Sequence, residues 1–523
     1  MTKQILPIDA VTPGRLGLNL QQKTSLLPPQ WAVNAKNCYL DDALRLALRG
    51  GYAVSTGTPT GATDQIESLH EYLQGDGTVE TIYATNDNIY TDISSPSSIK
   101  GGLTITDGRW YFQNFNNKVL GFQDGEDPIV YTGSTFATVI ASSGTIPTSK
   151  DGIAMCAYGR VWVLDSDGQT VKYSGLLDET DWGGAGAGQI DMSNIWTQGM
   201  DEVKAIAAFN GSVLVFGKNH IVIWEDELGS QLGVNPTDLA VVDVIEGTGC
   251  ISHWTMTAIG ESDIVFMSRN GLQSLGRVIQ EKSNPLRTVS KYVRDQLLED
   301  VSKEASPLDL RSVYSPEEGK YFLSIPTEKV VYAFDVRNAI GDQEGDRIFP
   351  CFQWFFKQSD GSAFAPYSLA VTQAGALLMG SGLGEVYTYG GADTDGGGTT
   401  GIRFEYSSPW LDLGEDLGNR LKILKRIGAI IFVRNNSGIE FKWGTDFREG
   451  SGEVTKEIVD PASSEWNIAE WGVGEWSGGL FLQIIKVPAR DVGQYYQVKI
   501  ETTTTGQFAL QQVELFTKVG RIA

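Results

Sequence analysis

The chain is poor in the residues that build metal centres and disulfide scaffolds. Its 523 residues hold only 4 cysteines and 3 histidines. Cys38, Cys156, Cys250 and Cys351 stand at least 94 residues apart, with no Cys-x-x-Cys pair. That argues against a zinc site or a disulfide framework and for free thiols in a reducing compartment. His70, His220 and His253 each sit alone. No apolar run approaches the ~18 residues of a membrane span, and no charged-then-apolar signal opens the chain. The expectation is a soluble protein made in the cytoplasm. Basic charge is also scarce: 41 Lys+Arg against 64 Asp+Glu leave a net charge of −23. An ordinary duplex-coating DNA binder needs the opposite balance.

Catalytic and cofactor motifs are missing as well. Gly211 to Lys218 ends in Gly-Lys but puts five residues between its glycines, and Asn219 stands where a P-loop has Ser or Thr. The run Gly184-Ala185-Gly186-Ala187-Gly188 lacks dinucleotide spacing. Asp165-Ser166-Asp167-Gly168-Gln169-Thr170 opens like a calcium loop, yet position twelve is Leu176 rather than Glu. A turn between strands explains it better. No Gly-x-Ser-x-Gly elbow or His-Glu-x-x-His helix occurs. The 64 acids offer endless carboxylate pairs, so their abundance does not point to glycoside hydrolysis. Nothing calls for an enzyme, a cofactor or a metal.

What the chain does have is glycine, 61 residues against an average near 7%, and short β-branched or aromatic runs bounded by Gly, Asn or Asp. Six of these runs follow a turn dipeptide: Asp107-Gly108, Tyr158-Gly159, Asn210-Gly211, Ser262-Asp263, Glu318-Gly319 and Ala374-Gly375. The second turn residues advance by 51, 52, 52, 56 and 56. A period near 50 with several short strands per unit predicts propeller blades, since one small sheet cannot bury both its faces alone. A β-sandwich is the other architecture with many short strands. Glu80 to Tyr83 and Asn88 to Tyr90 offer a further blade. Val289, Tyr292, Val293, Leu297 and Val301 recur at helical spacing, predicting a helical insertion near 283–306. It either covers a blade end or faces a partner.

The expected fold is therefore all-β: a β-propeller over 53–400, a β-sandwich-like domain over 401–523 after the Gly/Thr-rich stretch following Asp393, and an extended, proline-marked N-terminal arm over 1–52. Charge divides unevenly among them, +3, −24 and −2 for the arm, the middle and the C-terminal part. Trp466, Trp471 and Trp476 recur every five residues in a Gly/Glu-rich stretch. They either fill the base of the C-terminal domain or form an aromatic contact surface.

Several segments, taken in order, resemble the tail nozzle (tail hub) proteins of short-tailed bacteriophages. These are Gly17-Leu18-Asn19 to Pro28-Pro29, Ala35-Lys36-Asn37-Cys38-Tyr39, Leu46 to Tyr52 with its Arg49-Gly50-Gly51 turn, and Ser408-Pro409-Trp410-Leu411-Asp412-Leu413-Gly414. The basic Lys422, Lys425 and Arg426 and the tryptophan series follow. The resemblance implies a non-enzymatic virion tail protein that forms a homo-hexameric ring below the head–tail adaptor. Such a ring carries tailspikes or fibres outside and a needle or plug at its tip, and encloses the channel through which DNA leaves without sequence-specific binding. Under that reading the interface candidates are Arg15, Lys23, Lys36 and Arg49 of the arm, Tyr292 and Arg294 of the helix, and Trp466, Trp471 and Trp476. The competing functions are a glycan-binding or glycan-cleaving receptor-binding propeller and a bacterial extracellular adhesin.

Overall fold

A computed structural model describes residues 6–7, 12–55, 64–196, 199–226, 239–260, 263–280, 288–341, 347–397, 401–412, 420–434, 437–458 and 481–522. The protein is mostly β and is divided into many small sheets. Four four-stranded antiparallel sheets follow one another along the chain. The first runs from Ser68–Leu73 to Ser97–Ser98, the second from Tyr111–Phe115 to Phe136–Thr138, the third from Ser149–Ala157 to Gly188–Asp191, and the fourth from Ala205–Phe209 to Leu239–Glu246. A three-stranded fifth sheet covers Thr257–Ile259, Asp263–Ser268 and Gly271–Ser274. The sixth begins with Arg311–Ser315, Lys320–Ile325, Val330–Asp335 and Cys351–Trp354. The seventh takes three strands from Ser368–Val371, Leu377–Gly380 and Val386–Tyr389, and its fourth, Tyr52–Val54, from near the start of the chain.

The first strands of the first four sheets pack against one another in order, as do those of the fifth, sixth and seventh, and Ser68–Leu73 of the first also packs against Ser368–Val371 of the seventh; the fourth and fifth sheets meet through an apolar layer that holds Leu214, Phe216, Ile264 and Phe266. The side-chain period of two explains how one sheet meets two neighbours. In Arg160–Asp165, Val161 and Val163 join the apolar layer shared with the second sheet, while Trp162 and Leu164 join the layer shared with the fourth. In Ser212–Phe216, Val213 and Val215 face the third sheet, and Leu214 and Phe216 face the fifth. Strands buried on both faces read as unbroken apolar runs, as these do.

The turns largely match the expected punctuation. Tyr158-Gly159 and Asn210-Gly211 have positive φ at both residues (54° and 68°, 48° and 83°) and link the first two strands of their sheets. That twist suits a two-residue hairpin. The first copy differs. Asp107-Gly108 precedes the first strand of the second sheet, and the equivalent hairpin is Asn116-Asn117 (φ 44° and 57°). Asp165 to Thr170 is a turn between strands: the Asp167 carboxylate accepts from the Gln169 and Thr170 amides at 2.9 and 2.8 Å and the Thr170 hydroxyl at 2.6 Å.

The segment expected as an extended arm is instead woven into both halves of the molecule. Asn34–Lys36 lies between Cys351–Trp354, which it meets in parallel, and Ile402–Ser407, which it meets antiparallel. It thereby joins the sixth sheet to Tyr496–Thr504, Ser437–Thr445 and Arg448–Ile458, giving one nine-stranded sheet. Cys38–Leu40 and Leu46–Leu48 form a hairpin that pairs with Phe508–Ile522, which in turn pairs with Arg420–Val433 and through it with Phe481–Gly493. The two C-terminal sheets bury their facing residues together, with Phe404 and Phe508 rings 4.8 Å apart.

The seam is pinned by Arg49. Its guanidinium makes a two-pronged pair with Asp395 (2.8 and 2.7 Å), donates to Asn37 Oδ1 and the Phe355 carbonyl, and lies 4.0 Å over the Phe356 ring. Gly51 must be glycine here, because a Cβ would sit 2.1 Å from the Thr394 carbonyl oxygen. The stretch after Asp393, expected as a linker, is therefore held by the core up to Asp395; residues 398–400 lie outside the described residues.

Of the helical insertion expected near 283–306, residues 283–287 lie outside the described residues. A 3-10 turn over Lys291–Val293 leads into an α-helix over Arg294–Ser302, preceded by a short helix over Leu275–Gln280. Val293 and Leu297 are buried, and the buried Asp300 accepts from the Tyr332 hydroxyl at 2.6 Å. This helix packs against Gly271–Ser274 of the fifth sheet and is tied to the sixth by the Asp300–Tyr332 bond.

Candidate interaction surfaces

The sequence-derived contact residues fall in different settings. Arg15 and Lys23 are exposed. Lys36 is half-buried, paired with Glu405 at 3.7 Å and lying over the Phe355 ring. Arg49 is buried at the seam, so it is a structural residue and not an exposed contact. Tyr292 meets Trp31 edge-on at 4.4 Å, and its carbonyl accepts from the Leu20 amide. Arg294 donates to the Asn270 carbonyl at 2.9 Å. Both residues of the helical segment thus tie it to the rest of the chain. Trp466, Trp471 and Trp476 lie outside the described residues.

A surface the candidate residues missed is the outer face of the sheet formed by Phe481–Gly493, Arg420–Val433 and Phe508–Ile522. Along Phe481–Gly493, Ile485, Val487 and Ala489 point inward, while Leu482, Ile484, Lys486, Arg490 and Val492 are exposed. On the central strand a register shift between Leu424 and Arg426 turns both Lys425 and Arg426 outward, as a β-bulge does. Lys422, grouped with them by sequence, points inward and donates to the Asp412 and Gln494 carbonyls. Burial lowers its pKa. Lys425, Arg426, Lys486 and Arg490 pair with no acid among the described residues, and Lys486 lies 5.2 Å over the Phe516 ring. The result is a cationic and aliphatic face on a strongly acidic chain.

The nine-stranded sheet carries the opposite arrangement, a lattice of satisfied charge. Glu501, 4% exposed, pairs with Lys442 at 2.9 Å, with Arg403 at 3.1 Å and with Lys499. Burial pushes the Glu501 carboxyl up, but hydrogen bonds and charge from Lys499 and Lys442 outweigh it and bring it down to about 2. A carboxylate depressed in the folded state stabilises the protein above its unfolded value near 4.5, and that stabilisation is lost as pH falls toward 2. Glu501→Gln is expected to remove up to about 3 kcal/mol at pH 7 and almost nothing at pH 2. Chemical denaturation of both proteins between pH 7 and pH 2.5 checks this. A gap that does not narrow would refute it.

Acidic groups crowd the outer turns of the first sheets, with Asp124, Glu126 and Asp127 exposed in one loop. Among the described residues no group of three or more His, Cys, Asp or Glu is placed to hold a metal ion, and no helix is long and apolar enough to cross a membrane. The four cysteines are unpaired.

No protein-family model matches the chain, and no curated protein matches it. Among solved structures it is similar to the WD40 β-propeller domain of Doa1, with 11% identity and a TM-score of 0.36, covering 65% of this chain and 97% of that one. It is also similar to BBS1N in its complex with ARL6DN, with 9% identity and a TM-score of 0.36 over 66% and 99% of the two chains. A third similarity is to the computationally designed Ika8 protein, with 10% identity and a TM-score of 0.37 over 65% and 99%.

Proposed function

We propose that the chain is a non-enzymatic structural subunit of a short-tailed phage tail, a nozzle ring seated below the head–tail adaptor. In this reading the seven sheets form a β-propeller closed by Tyr52–Val54, and the two C-terminal sheets form a β-sandwich. The apolar layers and strand contacts between successive sheets, with Tyr52–Val54 paired into the seventh, support the propeller.

The observation that carries the functional reading is the division of charge between the folded units. The middle of the chain, which supplies the seven sheets, holds −24, whereas the outer C-terminal face presents Lys425, Arg426, Lys486 and Arg490 among exposed aliphatics. Two unlike, complementary surfaces on one chain favour head-to-tail contacts, and such contacts give a ring when the rotation closes. The resemblance of the Gly17 to Tyr52 and Ser408 to Gly414 segments to nozzle proteins points the same way. In a ring, acidic units facing the bore would repel the phosphates of passing DNA, so that genome exit breaks few ion pairs.

Antibody–gold labelling of the purified particle, viewed by electron microscopy, tests this. Gold on the tail axis just below the head is the expected result. Gold on peripheral appendages, or on no particle at all, overturns the assignment.

A further inference from the structure

The cationic, aliphatic face of the C-terminal sheet has a counterpart in the middle of the chain. The fourth sheet has four strands and ends in Leu239–Glu246, whereas the fifth has three among the described residues. The outer strands of the fourth therefore lack a strand opposite them, and the short helix Leu275–Gln280 stands there instead. The mismatch leaves a groove of about 460 Å³. Leu214, Ile223 and Ile279 supply its apolar lining, and Val242, Glu225 and Asp243 complete it.

Two features single this groove out. The first is charge. His220–Asp226 and Leu239–Glu246 carry Glu225, Asp226, Asp243 and Glu246 and no lysine or arginine. Arg277 of the short helix is not in the wall and donates to the Arg347 carbonyl at 3.3 Å. The cavities beside Trp443, Phe356, His253 and Glu67 each have lysine or arginine in their walls. The second feature is apolar surface on an edge strand. A register shift opposite Ile223 and Trp224 leaves Val242 without a partner in the ladder, as a β-bulge does. Val241 and Val242 are 41% and 57% exposed. The outer strands of the first three sheets, Ser97–Ser98, Phe136–Thr138 and Gly188–Asp191, expose no large aliphatic side chain. An uncovered edge that offers apolar side chains to water is a site for a partner.

The partner must be aliphatic and basic. Among the described strands, those of the outer C-terminal face alone combine exposed aliphatics with exposed lysine and arginine. The spacing matches too. Ile223 and Glu225 are two residues apart on one face of their strand, apolar then acidic; Ile484 and Lys486 are two apart on theirs, apolar then basic. Both pairs span one strand repeat of about 7 Å.

We propose that this groove is the seat of the neighbouring copy, receiving Ile484 and Lys486 of that copy's outer C-terminal face. The inference rests on the head-to-tail contact proposed above and names its other half. Val242→Cys and Ile484→Cys, made in separately tagged full chains, are mixed and treated with a short bismaleimide. A mixed cross-linked dimer that needs both introduced thiols is expected. Cys38, Cys250 and Cys351 are buried and Cys156 is half-buried, so the unsubstituted mixture sets the background. In sedimentation at low ionic strength, Glu225→Lys/Asp243→Lys should weaken association about tenfold or more. Adding Lys486→Glu/Arg490→Glu to the same chain should bring it back to within about threefold of wild type. No mixed dimer, or no recovery in the combined variant, overturns the proposal. Neither result bears on the tail assignment, which the gold labelling decides: gold below the head without the cross-link keeps the tail and moves the contact.

Discussion

Arg49→Met is expected to lower the stability of the protein by about 3–5 kcal/mol, the cost of stranding one half of a buried ion pair. The Arg49 side chain is 0% exposed and that of Asp395 is 6% exposed. Methionine fills much of the volume, so the loss falls on charge and hydrogen bonding. Asp395 loses its two-pronged partner, Asn37 Oδ1 loses a donor, and the Phe355 carbonyl loses another. Since Asn37, Phe355 and Asp395 belong to three separate stretches of chain, the damage should spread across the seam. Arg49→Lys keeps the charge but not the fork, and is expected to fall between wild type and Arg49→Met. Arg49→Met/Asp395→Asn removes both charges and is expected to recover part of the loss. Calorimetric and denaturant unfolding of the set, with the exposed Arg15→Met as control, decides the matter. A cost no larger than the control's would remove Arg49 from the seam.

This residue also shows how far the sequence could be read. The Arg49-Gly50-Gly51 turn stood out only through a family resemblance, and its partner Asp395 lies 346 residues away, where no local pattern announces such a pair. The same limit hid the weave of the N-terminal segment. Asn34–Lys36, Cys38–Leu40 and Leu46–Leu48 are strands of three residues each, too short to show a period of two, so the prolines around them dominated the reading. The small sheets were legible because their strands are buried on both faces and end in turns that require positive φ. Where a turn used Asn116-Asn117 rather than a glycine pair, the spacing settled on Asp107-Gly108 instead. Single residues with unusual surroundings were not legible at all. Nothing around His253 in sequence marks it as a buried imidazole with both nitrogens unmet, because a ring packed against it, Tyr111, comes from the distant second sheet. The outer C-terminal face was half visible. Lys425 and Arg426 were seen as a basic patch, but only the bulge shows why two consecutive residues point the same way while Lys422 points in.

Reversing that face is expected to have the largest functional effect of any surface change. Lys425→Glu, Arg426→Glu, Lys486→Glu and Arg490→Glu together alter only exposed side chains with no acidic partner among the described residues, so the melting temperature should move by only a few degrees, about the scale of 1 kcal/mol. Association is a different matter. If the cationic face of one copy seats on the acidic sheets of the next, four reversed charges turn attraction into repulsion at every contact around the ring, and like-charge juxtaposition costs several kcal/mol. Under the proposed tail assembly, incorporation of the variant into particles should then drop about tenfold per 1.4 kcal/mol lost. The pairing also predicts a salt dependence. Wild-type assembly should weaken between low and physiological ionic strength, because the rim charges are screened over about 10 Å, whereas Leu482→Ser/Ile484→Ser should weaken assembly equally at both. Quantitative immunoblots of purified particles and sedimentation of the free protein at two salt concentrations measure these effects. A charge-reversed variant that enters particles as well as wild type would show that this face meets solvent in the virion, and the head-to-tail contact would have to be sought on the sheets themselves.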